Sequence, residues 1–173
     1  MTQSTTRTLN QVDLQPIGTL VEKIRQEPQS ARTQWKAEVW WTGGLRSDSR
    51  SRDFDPVHSD EPAGLGGTNT APNPVEQLLA ALGNCLAVGY AANASVAGIA
   101  IRSLRIDLEG AIDLHAFLGL GGDNAGYESI RVGVHLDADA TPEQIDTLHR
   151  KVVGSSPVGH TLSRGVPLKI ELA

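Results

Sequence analysis

Cysteine is nearly absent. Cys85 is the only one in 173 residues, so no disulfide can form within the chain, and a disulfide-stapled or cysteine-rich zinc domain is excluded. The lone thiol is left to packing or to chemistry. Aromatic residues are scarce, with three Trp, two Tyr and two Phe, and the 15 Lys and Arg are outnumbered by 20 Asp and Glu. A net charge of -5, with no basic run and no aromatic-plus-basic patch, leaves nucleic acid an unexpected partner. No apolar run approaches the roughly 18 residues of a membrane span, and the polar start MTQSTTRTLNQ lacks the apolar segment of a signal peptide. The expectation is a cytoplasmic protein with no membrane contact. Internal repeats and low-complexity segments are also missing. The Gly-rich stretches near Gly66 and Gly121 have neither a phosphate-loop lysine nor a dinucleotide pattern, and read as turns.

What the chain does contain is organised around residues 73–98. Asn73 suits an N-cap and Pro74 the first helical position, where no N–H is needed. Leu78, Leu79, Leu82 and Leu86 then recur at helical spacing, while Ala81, Cys85, Gly89, Ala92 and Val96 make a second stripe of small residues. A helix apolar on more than one side is expected to be buried on more than one side, between a sheet and a second layer or another subunit. Gly98 is the expected stop.

The length suits one domain of about 100 to 200 residues. Residues 1–11 are polar and read as a flexible end, leaving a single domain over 12–173. Ile17, Leu20, Val21 and Ile24 predict an amphipathic helix over 12–26, on the surface of the core. Alternation over 33–41 predicts a strand with Trp35, Ala37, Val39 and Trp41 on one face, and Gly43-Gly44 turns it into a polar strand over 45–54. A loop follows over 55–72. Further alternation predicts three half-buried strands around 104–108, 112–118 and 130–136, with turns at Glu109-Gly110 and 121–126. Thr141, Pro142 and Gln144 open another helix with a capping box, Ser156-Pro157 starts a short one ending by Gly165, and 166–172 alternates as a last strand. The fold class is α+β, with antiparallel sheets packed around a long central cysteine-bearing helix.

Other chemistry-bearing residues have plain readings. Ser156 before Pro157 is a helix N-cap, and with His160 one turn on but no acid placed beside them, no hydrolytic triad is assembled. His58, Asp60 and Glu61 are metal-ligand types close in sequence, read as a solvated loop because no second ligand cluster has the spacing of a closed site. No metal or cofactor is expected.

With these residues in view, the chain resembles the OsmC/Ohr family of osmotically inducible and organic hydroperoxide resistance proteins. The resemblance rests on GGTNTAPNPVEQLLAALGNCLA at 66–87, on DEPAGLGG before it, and on SSPVGHTLSRGVPLKIEL at 155–172. It implies an OsmC-like fold, an intertwined homodimer with the cysteine helices at its centre, and thiol chemistry on organic hydroperoxides. In the family's peroxidases a second cysteine precedes the proline of the C-terminal segment, and here Ser156 holds that place. Serine cannot resolve a sulfenic acid into a disulfide, so the chain resembles a single-cysteine branch. The family's arginine follows a Gly-Gly turn; here Leu45 intervenes, so Arg46 is carried over, with Arg50 and Arg52 as rivals. Glu76 matches the helix-start glutamate.

The implied site is therefore Cys85, Arg46 and Glu76. A peroxidatic cysteine attacks the O–O bond as its thiolate, and a neighbouring arginine would favour that form and hold the peroxide. On one straight helix Glu76 stands about 13 Å from Cys85, on roughly the opposite side, so its role would be to hold an arginine's fork or to favour the helix dipole. Two functions stay open: reduction of a lipophilic hydroperoxide by Cys85 with an external thiol as reductant, or a dimer that binds a small lipophilic ligand without turnover. A lone cysteine in an apolar helix also packs simply as a small hydrophobe.

Overall fold

The computed structural model describes residues 8–172. In chain order the elements are α1 (Gln15–Gln26), β1 (Glu38–Gly43), β2 (Arg46–Arg50), β3 (Val57–Ser59), α2 (Pro74–Val96), β4 (Ile101–Ile112), α3 (Leu114–Phe117), β5 (Tyr127–Ala138), α4 (Pro142–Ser155) and α5 (Pro157–Arg164). Short 3-10 turns lie at Leu9–Gln11, Pro28–Ala31 and Ala63–Leu65. The architecture is α+β with small antiparallel sheets, and the chain divides into two compact units: Pro16–Leu78, and Leu79–Ala173 together with the residues up to Gln15.

In the first unit, β1, β2 and β3 form one antiparallel sheet in sequence order. The first strand is shorter than the alternation predicts: Trp35 and Ala37 lie outside it, and Trp35, Val39 and Trp41 are 82%, 68% and 75% exposed. The strand over 57–59 was hidden in the expected loop, because three residues are too few to show a period. The apolar stripe of α1 is exposed at Ile17, Leu20 and Val21. Its amphipathic pattern formed the helix, but the stripe is not covered within its unit.

Asp60 corrects the reading of a solvated loop. It is buried, and its carboxylate accepts the backbone N–H and hydroxyl of both Thr68 and Thr70, at 2.6 to 3.2 Å. The loop that delivers the chain to α2 is thus wound around one charge. Gly67 is obligatory within it, since an added Cβ would stand 1.8 Å from the Glu61 carbonyl oxygen. The hydrogen bonds, led by the Thr68 hydroxyl, hold the Asp60 carboxyl well below the usual carboxylate range. A group held down in the folded state stabilises fully above its unfolded pKa of about 4, and that contribution is lost as pH falls toward the depressed value. Asp60→Asn should therefore melt several degrees below the parent at pH 7, with the gap narrowing at pH 3. Thermal unfolding followed by circular dichroism tests this; an equal gap at both pH values would assign the loss to shape rather than charge.

The second unit holds the core. Leu82, Leu86, Tyr90, Ala94, Ile99, Leu148 and Val152 are buried together, packed by the inward residues of β4 and β5 and by Val158 and Leu162 of α5. The two strands pair along their whole length, placing Leu104 opposite Leu136, Ile106 opposite Val134 and Leu108 opposite Val132. Their other face carries cross-strand charge pairs, Arg131 with Glu109 at 2.8 Å and His135 with Asp107 at 2.9 Å. The expected turn at Glu109-Gly110 lies inside β4, where the Tyr127 ring covers Gly110 so closely that a Cβ there would sit 2.4 Å from it. The three expected strands are accordingly two: residues 114–117 form a helical turn, because the Asp113 carboxylate accepts the His115 N–H and caps it.

The residues over 166–172 form no strand. Leu168, Ile170 and Leu172 are 81%, 84% and 106% exposed, since an alternating segment becomes a strand only with a neighbour to bond. Of the segment expected to be mobile, residues 1–7 lie outside the described residues. Asn10 is tied down: its amide donates to Ser95 Oγ and the Ile99 carbonyl, and its oxygen accepts from the Ile101 N–H at 2.8 Å.

Candidate functional site

The site is built on α2 and on the junction of α4 with α5. Asn73 and Glu76 start α2 as a reciprocal pair, the Glu76 N–H donating to Asn73 Oδ1 and the Asn73 N–H to Glu76 Oε2, both at 2.9 Å. The helix has the length and composition of a membrane span, and Leu82, Leu86, Tyr90 and Ala94 line its buried face. The opposite side carries Val88, 69% exposed, and Val96, 60% exposed. The single chain covers one flank of α2, not the two expected from its pattern.

Cys85 lies at the edge of the buried face and is half-buried. Its Sγ is 3.3 Å from Oγ of Ser156, a residue only 4% exposed. Ser156 ends α4 and caps α5, so its Oγ also accepts the Gly159 N–H at 3.1 Å. With one lone pair held by that cap, the hydroxyl hydrogen is free to turn to the sulfur. Gly159 makes room for this, because a Cβ there would come within 3.1 Å of the same oxygen. Capping thus fixes one hydroxyl against the chain's one thiol.

Ser156 also lines a groove of about 590 Å³ whose walls include Leu82, Leu86, Ile130, Val132 and Val134. Tyr90 lies in the same groove, its hydroxyl bonded to His149 Nδ1, and burial pushes that phenol above its ordinary pKa. This pair was invisible in the sequence, since the two residues are 59 positions apart and neither belongs to a motif.

The predicted arginines are distributed otherwise. Arg46 opens β2, exposed, with Nε donating to the Gly43 carbonyl at 3.3 Å. Arg50 lies over the Trp40 ring, 5.5 Å from its centroid, and Arg52 lies over Phe54 at 4.6 Å. All three belong to the first unit, as does Glu76, whereas Cys85 and Ser156 belong to the second. Within its own unit the thiol meets Ser156. Glu76 uses Oε2 in the helix cap, where it accepts the Asn73 N–H. No cluster of three or more metal-ligating side chains occurs among the described residues, and His58 instead bonds its cross-strand neighbour Asp48 at 2.8 Å.

The sequence profile of the family described as OsmC-like protein matches residues 67–171, which include α2, Cys85 and Ser156. The chain belongs to the OsmC-like protein family. Solved structures agree on the OsmC-like fold. An OsmC-like protein from Mycoplasma pneumoniae superposes with a TM-score of 0.66 at 18% identity, covering 78% of this chain and 89% of that one. An organic hydroperoxide resistance protein from Elizabethkingia anophelis, with thiocyanate bound, gives 0.58 at 20% identity, covering 78% and 92%. The organic hydroperoxide resistance protein OsmC from Legionella pneumophila gives 0.54 at 17%, covering 76% and 92%. No curated protein matches in sequence. The OsmC-like profile begins after α1, β1, β2 and β3, so Arg46 lies outside the matched segment.

Proposed function

We propose that this OsmC-like protein is a thiol-dependent redox protein that reduces organic hydroperoxides through Cys85 in an oxidative stress response. The observation that carries the reading is the Ser156 hydroxyl set 3.3 Å from the chain's one thiol, at the place where the family's peroxidases hold their second cysteine. In the first step the Cys85 thiolate attacks the distal oxygen of ROOH. The S–O bond forms as the O–O bond breaks, leaving Cys85 as sulfenic acid and ROH after proton transfer to the leaving oxygen. A donor hydroxyl at 3.3 Å steadies the sulfur during that exchange. Ser156 cannot condense with the sulfenic acid. An external thiol therefore attacks it, releasing water and forming a mixed disulfide, and a second external thiol restores Cys85.

The acting form in this reading is a cytoplasmic homodimer. Support comes from apolar surface that one chain leaves open: the outer flank of α2, Val39 and Trp41 on β1, and residues 166–172. Arg46 is assigned to the peroxide and the developing oxyanion in the assembled dimer, and Glu76 to orienting its guanidinium. To test the reading, the protein is treated with cumene hydroperoxide and then with dimedone, which traps sulfenic acids. An adduct mapped to Cys85 is expected; an unmodified Cys85 at full peroxide excess would rule the chemistry out.

The groove favours a second reading, a dimer that binds a small lipophilic ligand without turnover, because Ser156 lines a volume within the usual range of ligand sites.

A further inference from the structure

We infer that the groove beside Ser156 selects an anionic amphiphile, an acyl chain ending in a carboxylate, with the charged end held by Arg164 and His160. The inference rests on the ligand-binding reading of that groove and names the chemistry of its occupant. Its inner wall is aliphatic, formed by Leu82 and Leu86 of α2 and by Ile130, Val132 and Val134 of β5. Its lining carries one permanent charge, the Arg164 guanidinium. Arg164, His160 and His149 all border it, and none of its lining side chains is acidic.

The two α5 side chains, moreover, are unspent. Among the described residues neither Arg164 nor His160 has an ion pair or a side-chain hydrogen bond; Arg25, Arg102, Arg105, Arg131 and Arg150 each pair with a carboxylate, and Arg32, Arg46, Arg50 and Arg52 do not. A chain with more acids than bases that leaves an arginine unpaired at the mouth of an apolar groove has a place for an anion brought from outside. The guanidinium offers a planar fork that fits a carboxylate with two parallel bonds. His149 keeps Nε2 available because its Nδ1 is engaged by the buried Tyr90 hydroxyl. An uncharged chain of the same length would gain the aliphatic wall and nothing at the rim.

The test is a calorimetric titration of the full-length protein with decanoate and with decan-1-ol, both below the concentration at which they aggregate. Decanoate is expected to bind about tenfold or more tighter than decan-1-ol, the range for a charge-assisted pair. Arg164→Gln should remove most of that preference and leave decan-1-ol unchanged, which also shows that the groove is intact. Arg150→Gln, on α4 and already paired with Asp146, should change neither. Equal binding of the two probes, or a preference that survives Arg164→Gln, would overturn the anionic inference while leaving a lipophilic groove. If neither probe binds, the groove reading falls with it. Decyl phosphate separates a carboxylate from a phosphate preference: tighter binding of the phosphate would overturn the carboxylate assignment.

Discussion

Cys85→Ser is expected to bring hydroperoxide-dependent oxidation of a small thiol down to the rate of the same mixture without protein. The substitution keeps the size and the hydrogen-bonding partner of the side chain, since a hydroxyl can bond Ser156 as the sulfur does at 3.3 Å. What it removes is the nucleophile. A serine hydroxyl is not ionised near neutral pH without a dedicated base, and an alkoxide is a poor attacker of the O–O bond beside a polarisable thiolate. Cys85 is the only cysteine, so no other thiol can take over and the variant is a clean zero. The assay follows loss of cumene hydroperoxide in the presence of excess external thiol. Unchanged consumption by the variant would take Cys85 out of the mechanism and leave the ligand-binding reading in its place.

Ser156→Cys is expected to have the largest effect in the other direction. It puts a thiol where a hydroxyl already touches the Cys85 sulfur, so peroxide should drive the pair to a disulfide. In the first step the Cys85 sulfenic acid forms as before. The new thiol then displaces hydroxide from that sulfur, forming S–S and, with the proton, water. Mass spectrometry after peroxide and alkylation should show the parent with one modified or oxidised cysteine, and the variant with both sulfurs protected until a reductant is added. Turnover should then become responsive to dithiols that open disulfides. Removing the serine has a structural consequence, because Ser156 Oγ also caps α5 through the Gly159 N–H, and losing such a cap costs about 1 kcal/mol. Thermal unfolding of the reduced variant isolates that loss from the chemistry. A variant that keeps two free thiols after peroxide would show that the sulfur and position 156 cannot approach as the geometry requires.

Several elements were legible because local patterns carry them. The α2 start announces itself by Asn73, Pro74 and Glu76, the α4 start by Thr141, Pro142 and Gln144, and the α5 cap by Ser156 and Pro157; each involves residues within one turn. Other assignments went wrong where a distant partner decided the outcome. Gly110 reads as a turn residue until the Tyr127 ring is laid over it from the opposite strand. Asp60 reads as a loop acid until Thr68 and Thr70 close around it. The segment 166–172 alternates as well as any strand, yet alternation supplies only one side of a ladder.

From its amino acids alone, the protein's α+β class, its cysteine helix, its family and the identity of the residue replacing a second cysteine could be read, because motif, periodicity and capping are short-range in sequence. Only the tertiary structure could decide what the thiol touches. Cys85 and Ser156 lie 71 residues apart, and their meeting follows from the packing of α4 and α5 on α2 and β5. The same packing leaves Arg164 unpaired at a greasy groove, a distinction set by geometry that no residue carries by itself.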